Sequence, residues 1–180
     1  AYRWYAKASQ RRIIAILIHY TALSPLQKHN NRIQKMFEKI ADYLYVSAQL
    51  KDERFAKRAA AYGIKTVICN RPDGEEPGQP DFKQVEEWLH RHGIENVVYM
   101  PVVMDAIDDA VLNNFQETVA KSPAPILAYC RSGTRSSMLW ALNQARRGVE
   151  VNSLIKAAQL ASINLEPQRA RLEAVYTKRG

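Results

Sequence analysis

Cysteine is scarce in this chain, long apolar runs are missing, and acidic residues are absent from its first fifth. Only Cys69 and Cys130 occur among 180 residues. That number excludes a disulfide framework and leaves too few ligands for a cysteine-based zinc site, so neither a metal nor a cofactor is expected. The longest purely apolar run, Ile13–Ile18, has six residues, too few to cross a bilayer as a helix. What is present is ordinary: 47% hydrophobic and 24% charged residues exclude a disordered chain and suit one domain with a real core.

The net charge of +8 suggests a polyanion partner until it is placed along the chain. Arg3, Lys7, Arg11, Arg12, Lys28, Arg32 and Lys35 lie in residues 1–37, which contain no Asp or Glu. The other 143 residues carry 19 basic and 18 acidic side chains. A body so balanced argues against a nucleic-acid surface, and no aromatic-and-glycine stacking motif appears. No nucleic-acid partner is expected. In the arm, Arg11-Arg12 precedes the apolar run in the manner of a signal peptide, but the run is short and no small-residue cleavage site follows promptly. The favoured expectation is an added helix packed on the body or on a second copy, giving a homodimer through the arm. The sharper alternative is an interfacial helix on an anionic membrane. Ser24-Pro25-Leu26-Gln27 supplies a cap, a first-turn proline and a capping-box glutamine, so a linker helix is expected from there to about Ala41. The division expected is a basic helical arm over residues 1–41 and a catalytic domain over 42–180, cytoplasmic, with the arm membrane-associated in the sharper version.

Beyond the arm, strands and helices alternate. Strands are expected at Tyr43–Ser47, Lys65–Asn70, Asn96–Met100 and Ile126–Cys130, from their β-branched and aromatic content. Helices are expected at Asp52–Tyr62, Asp81–His92, Ile107–Lys121, Thr134–Arg147, Val151–Ala161 and Glu166–Lys178, several of them stopped by glycine. Such alternation implies an α/β fold: a mostly parallel central sheet flanked by helices, with an N-terminal helical extension. Function in such sheets gathers at the carboxyl ends of the strands. The loops Arg71–Pro80, Val102–Ile107 and Cys130–Ser136 are therefore the ones to inspect.

The third loop is the most informative. A buried strand ends at Cys130, and Arg131, Ser132, Gly133 and Thr134 lead at once into a helix with Arg135 and Ser136 in its first turn. This order aims consecutive backbone N–H groups and the positive end of a helix dipole into one bowl, which suits a tetrahedral oxyanion or a thiolate. Gly133 permits the tight turn. Arg135 offers a planar two-donor fork and Arg131 a second positive charge. Cys130 is thus the expected nucleophile. Ser136 is expected to donate to its sulfur or to help it leave.

Cys-x-x-Gly-x-Arg-Ser resembles the phosphate-binding loop of cysteine-dependent tyrosine and dual-specificity phosphatases, and Cys-Arg-Ser-Gly-x-Arg-Ser resembles the active loop of single-domain rhodaneses. The wider pattern is Thr66-Val-Ile-Cys-Asn-Arg-Pro-Asp-Gly-Glu-Glu76, then Pro101-Val-Val, then Leu127–Ser136 followed by Leu139-Trp140. Over about residues 42 to 165 it resembles the phosphatase-like domain of the beta-lactamase-hydrolase-like proteins. The resemblance implies a dual-specificity-phosphatase-like fold and either phosphatase or sulfurtransferase activity. It also implies a persulfide-oxidising or beta-lactamase-like hydrolase partner.

Two departures bear on that choice. Phosphatase loops place five residues between Cys and Arg, whereas four stand here, as in the shorter rhodanese-type loops. Tyr129 stands where phosphatases usually carry His. The expectation is therefore a sulfurtransferase working through a Cys130 persulfide on a small sulfur-containing substrate. The alternative is a phosphatase forming a phosphocysteine at Cys130, with Asp105 as general acid on a phosphorylated substrate. The third is a non-catalytic anion-binding module. Arg71 either reaches the bowl or pairs with Asp73, Glu75 or Glu76. Cys69 is expected as a buried structural thiol, with a resolving thiol as its alternative.

Overall fold

The structure, a computed structural model, describes residues 36–178. Five strands form one sheet in the order β1-β2-β5-β3-β4. They are β1 (Glu38–Ala41), β2 (Leu44–Ser47), β3 (Thr66–Cys69), β4 (Asn96–Tyr99) and β5 (Ile126–Tyr129). β1 runs antiparallel to β2, while β2, β5, β3 and β4 are parallel to their neighbours. The expected α/β architecture with a mostly parallel, helix-flanked sheet is thus the observed one.

Six α-helices cover the described part of the sheet: α1 (Glu53–Ala61), α2 (Phe82–Arg91), α3 (Asp109–Lys121), α4 (Thr134–Arg146), α5 (Val151–Leu160) and α6 (Arg169–Thr177). Their starts are local chemistry. Asp52, Asp81 and Asp108 each accept a backbone N–H of the first turn, from Arg54, Gln84 and Val111, at 2.7–2.9 Å. That satisfies donors the helix itself cannot.

The two-residue period of the strands sorts their side chains between two cores. Leu44, Val46, Ile68, Ile126 and Ala128 pack with α3, α4, α5 and α6. Val67, Cys69, Leu127 and Tyr129 pack with α1 and α2 on the other face. Helix α4 is buried from Ser136 through Ala145, so its polar residues need partners. Asn143 donates to the Leu112 and Leu139 carbonyls at 3.1 and 3.0 Å. Ser137 Oγ is buried without one.

Two expectations about the arm change. Glu38–Ala41 is not the end of a linker helix but strand β1, paired with β2. Ile40 and Ala41 are buried in the core, and burial against a waiting sheet edge outweighs the helical period of that stretch. The expected N-terminal helices and the homodimer contact lie outside the described residues. The membrane-associated reading of the chain is dropped, because no helix among the described residues is long and apolar enough to cross a membrane.

Candidate active site

Central strand β5 ends one residue before Cys130. In register, Ser47 of β2 and Cys69 of β3 both lie level with Tyr129, so the loops after β2 and β3 flank the cysteine. Cys130 is 1% exposed, and the Gly133 N–H donates to its sulfur at 3.2 Å. Gly133 caps α4 with φ at +90°. A Cβ there would stand 2.9 Å from Ile163 Cδ1 and 3.4 Å from the Ser47 carbonyl oxygen. Both the backbone conformation and the space therefore demand glycine. The Ser132 and Thr134 hydroxyls bond each other at 3.0 Å across the exposed rim. Beside the turn, Ile163 joins Gln159, Ser162, Asn164 and Glu166 around an open pocket of about 750 Å³.

Arg135 is held from two directions. Its Nη1 and Nη2 donate to the two carboxylate oxygens of Glu75, both at 2.7 Å, and Nη1 also donates to the Val102 carbonyl at 2.9 Å. The Glu75 carboxylate raises the guanidinium above its ordinary value against the opposing effect of burial, and the nearby Cys130 sulfur acts in the same direction. Arg135 in turn, with Arg71 behind it, holds the Glu75 carboxyl below the usual range.

Arg71 does not open onto the bowl. It is 1% exposed, donating from Nε to Glu75 at 2.9 Å and from Nη1 to Gln49 at 3.1 Å. Its Nη2 stands 3.1 Å from Glu76, within ion-pair range but without hydrogen-bond alignment. Asp73 is not its partner; that carboxylate accepts the Phe82 N–H that opens α2. Arg131 is 69% exposed and pairs with Glu76 at 3.2 Å. Two glutamates of the β3–α2 loop therefore gather all three arginines.

The expected donation from Ser136 to the sulfur is corrected. Its buried hydroxyl donates to Asn70 Oδ1 at 2.9 Å, and Asn70 Nδ2 donates to the Met100 carbonyl at 3.1 Å. The single hydroxyl proton is committed to tying the loops after β3, β4 and β5 together. Asp105 is exposed on a 3-10 turn, Met104–Ala106, three residues beyond Val102, whose carbonyl Arg135 holds. Cys69 is buried in the α1/α2 core and donates its S–H to the Arg71 carbonyl at 3.3 Å. Burial pushes its thiol up to about 11.

Glu75, Gln49 and Asn70 are the site residues that sequence reasoning missed. Glu75 appears there only as a partner for Arg71, and the Glu-Glu pair in a proline-rich loop was its one visible signal. The contact with Arg135 spans 60 residues.

A cysteine closing the central strand, wrapped by a glycine turn and faced by a fixed arginine fork, defines the class of cysteine-dependent phosphatase-type enzymes. Residues 36–147 match the family model of the beta-lactamase hydrolase-like protein, phosphatase-like domain, and the chain belongs to that family. A beta-lactamase hydrolase-like protein of Agrobacterium fabrum is 37% identical over 89 residues, 49% of this chain and 20% of that protein. One of Xylella fastidiosa is 34% identical over 109 residues, 61% of this chain and 25% of that protein. The chain thus spans a quarter or less of these relatives. A candidate phosphatase of Neisseria meningitidis Z2491, known from its crystal structure, is 40% identical, with a TM-score of 0.76 over 79% of this chain and 99% of that one.

These findings overturn the sulfurtransferase expectation. The family model is that of a phosphatase-like domain, and the solved structure at 40% identity is described as a candidate phosphatase. The inference from loop length failed for a physical reason. The number of residues between Cys130 and Arg135 does not by itself set the bowl, because Glu75 and Val102, from other loops, fix where the guanidinium stands.

Proposed function

We propose that this domain hydrolyses phosphate monoesters through a phosphocysteine at Cys130. The observation that carries the reading is the pairing of the Gly133 N–H on the Cys130 sulfur with an Arg135 fork already fixed beside it. Glu75 occupies the Nη1–Nη2 edge of that guanidinium, which leaves the Nε–Nη2 edge for phosphoryl oxygens, in a geometry suited to bidentate binding. The loop amides and the α4 dipole complete the anion site.

In the first step the Cys130 thiolate attacks phosphorus. The S–P bond forms as the ester P–O bond breaks, and the departing oxygen takes the Asp105 proton. In the second, water attacks phosphorus and gives its proton to the Asp105 carboxylate; the S–P bond breaks and phosphate leaves. Aryl phosphate hydrolysis by the wild type, Cys130→Ser and Asp105→Asn tests this. Loss of all turnover in the first variant and a fall of roughly 10²–10⁴-fold in the second are expected. Full activity in Cys130→Ser would refute the covalent route.

A further inference from the structure

The turn that carries Asp105 is gripped from the far end of the chain. Arg171, on α6, donates from Nη1 to the Met104 carbonyl at 2.8 Å and from Nη2 to the Ile107 carbonyl at 2.6 Å. Those two oxygens bracket Asp105. The 3-10 turn itself has no side-chain cap at its start. The platform behind Arg171 is firm. Its neighbour Leu172 is fully buried in the main core. Arg169, one half-turn earlier, bonds Asn152 of α5 and Glu166. At the other end of the same segment, Arg135 holds the Val102 carbonyl. The segment 102–107 is therefore strung between the arginine beside the nucleophile and an arginine that touches no part of the bowl. Arg171 also lies beyond the residues that match the family model.

We propose that Arg171 is a positioning residue for the general acid: its fork fixes the Met104–Ile107 turn so that the Asp105 carboxyl meets the leaving oxygen. Arginine suits the task because its planar fork reaches two carbonyls at once, where lysine, a point donor on a flexible stem, reaches one securely. The charge assists both bonds. The inference rests on Asp105 being the acid, as proposed above. Misplacing a reacting group by about an ångström costs up to about 10²-fold, and here the loss must depend on how much the leaving group needs a proton.

The test compares kcat/KM for phenyl phosphate, a poor leaving group, with that for 2,4-dinitrophenyl phosphate, a good one. The full chain is used as wild type, Arg171→Met, Arg171→Lys, Asp105→Asn and the Asp105→Asn/Arg171→Met double variant. Arg171→Met should lose on the order of 10-fold or more on phenyl phosphate and little on the dinitrophenyl ester, with Arg171→Lys between it and wild type. In the Asp105→Asn background the second substitution should add nothing. Equal losses on both esters, or a further full loss in the double variant, would show a merely structural role and overturn the proposal. Should Arg171→Met not fold, the leaving-group slope of Arg171→Lys decides alone. Failure of the underlying reading looks different: Asp105→Asn itself would then lose equally on both esters.

Discussion

Cys69 ends β3 and Cys130 directly follows the neighbouring parallel strand β5, one register step on, and the two are equally hidden at 2% and 1% exposure. Their sulfurs nevertheless meet opposite ends of the peptide dipole. Cys69 gives its proton to a carbonyl, that of Arg71, within an apolar layer. Cys130 receives an N–H, that of Gly133, with a guanidinium beside it. Burial alone therefore does not separate the two; what distinguishes them is the group that faces each sulfur. Each cysteine also has its arginine. Arg71, two residues on, is sealed in and structural, while Arg135, five residues on, has its side chain 12% exposed at the mouth of the bowl. The two share one carboxylate, Glu75.

The largest effect that could break this contrast is chemical. Cys130→Ser should abolish phosphatase turnover, whereas Cys69→Ser should leave it within a few-fold. Brief iodoacetamide treatment at neutral pH, mapped by mass spectrometry, should modify Cys130 and spare Cys69. Labelling of Cys69 in the folded protein would erase the distinction.

A smaller effect separates the two arginines through their shared partner. Glu75→Ala leaves a 1% exposed Arg71 with the neutral Gln49 amide and a misaligned Glu76 as its partners, and losing one partner of a buried pair costs about 3–5 kcal/mol. Arg71→Met should cost less, because Glu75 keeps Arg135 and Glu76 keeps Arg131. Urea unfolding of both variants checks the order; equal costs would mean that Arg71 is not the buried charge that needs compensation.

The smallest effects are in pH. The Cys69 thiol ionises at about 11 when folded against 9.0 when free. The folded state therefore holds its proton longer, and stability falls as pH rises above 9. Cys69→Ala should flatten that decline. Glu75 has the opposite sign. Its carboxyl lies below the ordinary 4.5 in the folded state, so its contribution is present above that value and is lost as pH falls through the lowered one. An acid unfolding curve that Glu75→Gln leaves unchanged would contradict this linkage.

Much of the molecule was legible residue by residue. The aspartate caps, the β-branched strands and the apolar helix α4 are local patterns, and the Cys130–Ser136 loop announces an anion site through its order alone. The misread parts depend on distant residues. Glu38–Ala41 carries a helical period, yet the sheet edge claims it. Ser136 has the right spacing to serve the sulfur, yet Asn70, 66 residues away, accepts its hydrogen bond.

The sequence by itself determined the alternation of strand and helix and the order of cysteine, glycine and arginine around the proposed nucleophile, because backbone propensity, capping and loop order act over a few residues. Tertiary structure alone decided which residues hold that loop in place. Glu75 lies 60 residues from Arg135 in sequence and Arg171 lies 67 from Met104. Charge-assisted bonds of that kind become visible only once the sheet has brought the loops to the same end of its strands.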